Sequence, residues 1–67
     1  MKTIFVFLAE GFEEIEALAP VDVLRRAGLS VQTVSIMDEL VVTGAHGVPV
    51  VADQMFAEIN PEDAEMI

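Results

Sequence analysis

Four glutamates fall within residues 10 to 16, at Glu10, Glu13, Glu14 and Glu16, and carboxylates are among the side chains that pass protons to reacting atoms. Most of them need no chemical role. They lie at the start of a predicted helix, whose positive end favours negative charge. Glu16 stands apart because Pro20 lies four residues on. Proline has no N–H, so the Glu16 carbonyl loses its helical partner and a kink is expected there. A distorted first turn beside the C-terminal end of a parallel strand is where open α/β sheets place their sites. Periodicity alone supports a plainer reading, in which Glu16 is a solvated carboxylate that helps to cap the helix.

The other titratable candidate is His46, in the segment TGAHGV. It sits in a predicted turn with no Cys, His or carboxylate at metal-ligand spacing, so it reads as an exposed loop histidine and no metal is expected. A glycine after the first strand invites comparison with dinucleotide sites. The G-x-G-x-x-G pattern is missing, however, and GFEEIE (11 to 16) offers carboxylates where a pyrophosphate needs bare amides. No cofactor is expected. The chain also contains no cysteine.

These residues have to be positioned by secondary structure, and the pattern is legible. TIFVFLA (3 to 9) is a continuous β-branched and aromatic run ending at Glu10 and Gly11, the signature of a strand buried on both faces of a parallel sheet. Residues 13 to 27 form a helix that stops at Gly28, a position suited to a left-handed cap, with Arg25 and Arg26 opposing the dipole in the last turn. LSVQTVSI (29 to 36) is rich in β-branched residues and reads as a second strand, completing a βαβ unit. LVVTG (40 to 44) and VPVVA (48 to 52) flank Ala45, His46 and Gly47 as a short hairpin or two edge strands, and Pro49, which cannot donate to a ladder, assigns them to an edge. Asn60-Pro61 marks a turn, after which AEMI (64 to 67) begins another apolar run that the end of the sequence cuts off where a strand should start.

The helix divides into two faces. Ala17, Pro20, Val21, Leu24 and Gly28 share the side suited to packing on a sheet. The opposite side carries Ile15, Leu18 and Ala19 with Asp22 and Arg26, which are four apart and able to pair. A helix apolar on two sides wants a second partner, a covering element or a subunit. A solvated Asp22–Arg26 pair is an equally sound account from sequence alone.

Twelve acidic residues against three basic ones leave a formal charge of −9, which repels phosphate backbones and anionic lipids, so no nucleic-acid or membrane partner is expected. No apolar run approaches the roughly 20 residues needed to cross a bilayer. The MKTIFVFLAEGFEE start lacks a small-residue cleavage site, so it reads as a strand rather than a signal peptide, and the protein as cytoplasmic. At 67 residues the chain is shorter than the ~70–80 at which one core comfortably stabilises a fold, and it has no disulfide to help. It is therefore expected to be part of a larger domain.

LAEGFEEIEALAPVDVLRRAG (8 to 28) resembles the first loop and helix of the DJ-1/PfpI (ThiJ/PfpI) family, through G-x-E-E-x-E followed by P-V-D-V-x-R-R-A-G. The flanking strands and TGAHGVPVVAD (43 to 53) are similar to the family as well, so the likeness spans residues 1–67. The resemblance implies the N-terminal βαβ part of a flavodoxin-like or Rossmann-like parallel-sheet sandwich with a short edge hairpin. The family domain continues into a strand ending in a glycine pair and then a cysteine on a nucleophile elbow. The likeness implies that Glu16 lies against that cysteine, where a carboxyl removed from water keeps its proton and donates to the thiolate. It further implies a homodimer in which the face of Ile15, Ala19, Asp22 and Arg26 is buried, with His46 at a position where relatives carry a basic residue near the interface. The implied activity is cysteine-dependent and acts on small reactive carbonyl compounds, of the glyoxalase or deglycase type, or is hydrolase-like. The alternatives are an oxidative-stress sensor, a chaperone or a dimerising module. With no cysteine, the 67 residues alone are expected to be catalytically inert.

Overall fold

The computed structural model describes residues 3–60, 62 and 64–66. The first strand, β1 (Thr3–Leu8), runs into helix α1 (Glu14–Arg26), which returns the chain to β2 (Val31–Ser35). β2 lies parallel to β1 in unbroken register from Ile4 opposite Val31 to Leu8 opposite Ser35. This is the expected βαβ unit. The hairpin β3 (Val41–Thr43) and β4 (Pro49–Val51) follows, then a short β5 (Gln54–Met55), a single 3-10 turn over Phe56–Glu58, and β6 (Ala64–Met66). The main sheet has the order β5-β2-β1-β6, and the hairpin forms a two-stranded sheet of its own. β5 and β6 both pair in parallel, with β2 and β1 respectively.

Alternation along β1 decides what the helix and hairpin cover. Ile4, Val6 and Leu8 share one face. At one end Ile4 packs with Val21 of α1 and Val31 of β2, with Leu24 alongside. At the other, Leu8 packs with Val42 and Ala52 from the hairpin, flanked by Phe12, Ala17 and Val50. Leu8, Val34, Val42 and Ser35 are the largest fully buried side chains. β1 is less enclosed than its composition predicts: Thr3, Val6 and Phe7 are half-buried. On the opposite face Phe7 meets Phe56 edge-on, with ring centroids 5.8 Å apart.

Helix α1 stops where the sequence says it should. Gly28 adopts φ +86°, its N–H donates to the Arg25 carbonyl, and the Leu29 N–H reaches back to Leu24. Those two bonds define a Schellman motif, which needs the left-handed residue that glycine supplies without a Cβ penalty. Arg26 stays near Asp22 at 3.8 Å in an exposed pair. Arg25 instead donates from Nε and Nη2 to the Val31 carbonyl.

Pro20 departs from its expected place. It is exposed rather than packed on the sheet, and α1 continues through it as one helix. Its position at the border of the apolar stripe, with Ala17 and Val21 nearer the sheet, explains the difference. The turn expected at Asn60 is present as an Asn60 Oδ1 acceptor for the Glu62 N–H, at 3.0 Å, while Pro61 lies outside the described residues. Of the apolar run expected from residue 64, Ala64–Met66 forms β6. Among the described residues no helix is long and apolar enough to cross a membrane.

Candidate functional site

The loop after β1 turns at Gly11 and delivers the chain to the first turn of α1, where three glutamates divide the work. Glu13 is the N-cap: its Oε1 accepts from the N–H groups of Ile15 (2.7 Å) and Glu16 (3.1 Å). Capping of this kind satisfies donors that a helix start otherwise leaves unpaired. The role that periodicity offered to Glu16 thus belongs to Glu13.

Glu14 points the other way, into the protein, and is only 9% exposed. A buried carboxylate is costly unless its oxygens are bonded, and these are. Oε2 accepts from the backbone N–H of His46 (2.8 Å) and more loosely from that of Val48 (3.3 Å). Oε1 lies 2.8 Å from His46 Nδ1. The His46 ring bond holds the Glu14 carboxyl well below its ordinary value, at about 2, and the backbone donors assist against the opposing effect of burial. Reciprocally, the bond to Glu14 raises His46 above its ordinary 6.5, with the charges of Glu14 and Glu13 adding to it. His46 is exposed in its turn, as expected, and its ring and backbone N–H are both engaged by Glu14.

Glu16 is exposed on the far side of the same turn. Ile15 beside it is 75% exposed, Ala19, Asp22 and Arg26 continue along this open face, and Leu18 is half-buried. His46 lies apart from Glu16, with Glu13 and Glu14 at an open depression of about 300 Å3 also lined by Ile15 and Val48. A second depression, of about 260 Å3, is lined by Glu10, Met37, Asp38, Glu39 and Val41, just past the C-terminal ends of β1 and β2. Glu16 lines neither of these two.

Glu13, Glu14 and His46 bring three possible metal-ligating atoms within 4.8 Å of one another, although the sequence keeps His46 32 positions from Glu14. Both Glu14 oxygens are already committed to N–H donors, and a cation would compete with those bonds. The sequence reading missed Glu14 because nothing local separates it from its neighbours. The available signal was the glycine-flanked turn of the hairpin, whose free N–H groups needed an acceptor.

A second polar knot lies at the other end of α1. Asp53 Oδ2 accepts from the Thr33 N–H (2.9 Å), from Thr33 Oγ1 (3.2 Å) and from Arg25 Nη2 (2.6 Å). Partial burial pushes the Asp53 carboxyl up, but the Thr33 and Arg25 bonds outweigh it and hold the group below its ordinary value.

Comparison with known proteins places this arrangement. The model of the DJ-1/PfpI family matches residues 2–67. Protein DJ-1 homolog A of Arabidopsis thaliana is 35% identical over 66 residues, which are 98% of this chain and 17% of that protein. A DJ-1 superfamily protein from Salmonella typhimurium superposes with a TM-score of 0.82 at 41% identity, over 87% of this chain and 31% of that one. Oxidised Toxoplasma gondii DJ-1 gives 0.81 at 38% identity, over 85% and 31% respectively. The chain thus spans less than a third of the length of these relatives.

Proposed function

The chain belongs to the DJ-1/PfpI family, and from that premise we propose that it is the N-terminal part of a single domain whose complete form acts on small reactive carbonyl compounds. The observation that carries this reading is Glu16, in the family's G-x-E-E-x-E pattern, on the first turn of a helix that follows the C-terminal end of β1. The nucleophile is a thiol supplied from outside these residues, which contain no cysteine. A thiolate attacks the carbonyl carbon, a C–S bond forms, the C=O π pair moves to oxygen, and Glu16 delivers the proton that this oxygen takes up. The complete protein is a homodimer that buries Ile15, Ala19, Asp22 and Arg26, with His46 near the rim. The exposure of Ile15 and the open face it begins support this. A second reading, a redox sensor, is favoured by the relative from Toxoplasma gondii, described as oxidised.

The test uses Glu16→Gln and Glu16→Leu in the complete domain. Gln keeps a donor of similar shape but no acid proton, so the thiol pKa stays low while turnover of a small α-oxoaldehyde falls by ~10²–10⁴-fold. Leu removes the bond, and the thiol climbs toward the free value of ~8.5. Thiolate absorbance against pH and turnover read both. If Glu16→Leu titrates and turns over like the parent, the assignment is wrong.

A further inference from the structure

We propose that Glu14 is a positioning residue that clasps the β3–β4 turn to the first turn of α1 and so fixes the direction of the helix start on which Glu16 stands. Only the last step, from helix direction to Glu16, rests on the function proposed above.

The clasp is built from one short stretch of the hairpin. Among the described residues, every hydrogen-bond partner of the Glu14 side chain outside its own residue comes from His46 and Val48. Ahead of it in both segments, backbone bonds continue the seam: the Gly11 N–H donates to the Thr43 carbonyl at 2.8 Å, and the Ala45 N–H to the Phe12 carbonyl at 2.7 Å. The loop before α1 and the turn of the hairpin are therefore joined at three successive points, with the Glu14 carboxylate the one that is a side chain. Capping of the helix belongs to Glu13, so the burial of Glu14 does not serve that end.

Gly44 supplies an independent mark of the same contact. The glycines with positive φ are Gly11, Gly28 and Gly47, so backbone conformation does not require a glycine at 44. Space does: a Cβ there would overlap the Glu14 carboxylate. The residue type at 44 thus answers to the acid at 14, across the seam between hairpin and helix.

Glu14 and Glu16 lie two residues apart, about 200° around the helix, one turned into the protein and one out of it. An acid held by several bonds on the inner side sets the rotation of the first turn. The rotation in turn sets where Ile15 and Glu16 point. The titratable groups facing His46 are Glu14 at 2.8 Å and Glu13 at 3.6 Å, both from α1 and its cap.

The test measures the complete-domain protein by NMR and by turnover. In Glu14→Gln the amide nitrogen confronts an N–H or ring donor, so the His46 titration midpoint falls toward ~6.5. Exchange of the His46 and Val48 amides then accelerates ~10–100-fold, the loss expected when a buried donor's charged acceptor is removed. Gly44→Ala produces a comparable acceleration in the parent but adds little in a Glu14→Ala background, where the methyl has room. Turnover in Glu14→Gln falls through kcat with KM nearly unchanged. Unchanged His46 titration in Glu14→Gln, or an equal effect of Gly44→Ala in both backgrounds, overturns the clasp. Parent-like kcat in Glu14→Gln, with Glu16→Leu inactive, overturns its control of Glu16. If Glu16→Leu is itself fully active, the catalytic reading fails while the His46 and exchange measurements still decide the clasp.

Discussion

Removing the Asp53 carboxylate should expose how β5 is held. Thr33 is 5% exposed, and its N–H donates to Asp53 Oδ2 at 2.9 Å. Asp53→Ala leaves that buried donor unsatisfied, at a cost of ~1–3 kcal/mol. The ion pair with Arg25 adds little, since the two side chains are 48% and 40% exposed and exposed pairs contribute ~0–1 kcal/mol. In Asp53→Asn the remaining carbonyl oxygen still accepts from Thr33, so only the charge contribution is lost. The two variants should therefore differ by ~1–2 kcal/mol at neutral pH, a shift of about 1 M in urea midpoint, measured in the complete domain. The pH dependence has a defined sign. Asp53 is held below its ordinary 3.8, so its contribution is fully present above that value and is lost as pH falls through the lower folded value. The parent's advantage over Asp53→Asn should shrink in the same window. Equal midpoints for the Asn and Ala variants at pH 7 would refute the account, because they would mean that the Thr33 donor does not need this acceptor.

Three further outcomes are expected. Asp22→Lys should weaken the proposed homodimer by ~2–5 kcal/mol, the range for an unpaired charge buried at an interface, and an unchanged dissociation constant by sedimentation would remove this face from the interface. Gly28→Ala should cost ~1–2 kcal/mol in the complete domain, because φ +86° places an L residue in the left-handed region; parent-like urea unfolding would contradict it. The 67 residues alone should not unfold cooperatively, since Ile15, Val23, Val51 and Phe56 are each more than half exposed and small cores of this size are marginal; a sharp two-state thermal transition in a monomer would show otherwise.

How much of the fold was legible depended on whether each signal was local. β1 reads from a continuous β-branched and aromatic run, the end of α1 from Gly28, and β2 from its valines and threonine, because each property resides in the segment that shows it. β5 has no such signal. Gln54 and Met55 are neither β-branched nor aromatic, and they pair with β2 beside Asp53, which is itself bonded to Thr33 across 20 positions. Tertiary contact overrides propensity there. Pro20 failed for a different reason: an angular position on a wheel says which residues share a side, not where the edge of the contact falls.

The site shows the same division more sharply. Glu10, Glu13, Glu14 and Glu16 are chemically identical and close in sequence, so charge and helix dipole treat them alike. Folding separates them by what lies across the seam. Glu13 finds the open N–H groups of its own helix, Glu14 finds those of a turn made 32 positions later, and Glu16 finds solvent. The proposed function singles out Glu16, through the resemblance of G-x-E-E-x-E to the family. The contacts within these residues select Glu14. The two selections describe the inward and outward sides of one helical turn, and the proposed site, with its carboxyl aimed outward, also needs something holding the turn from within.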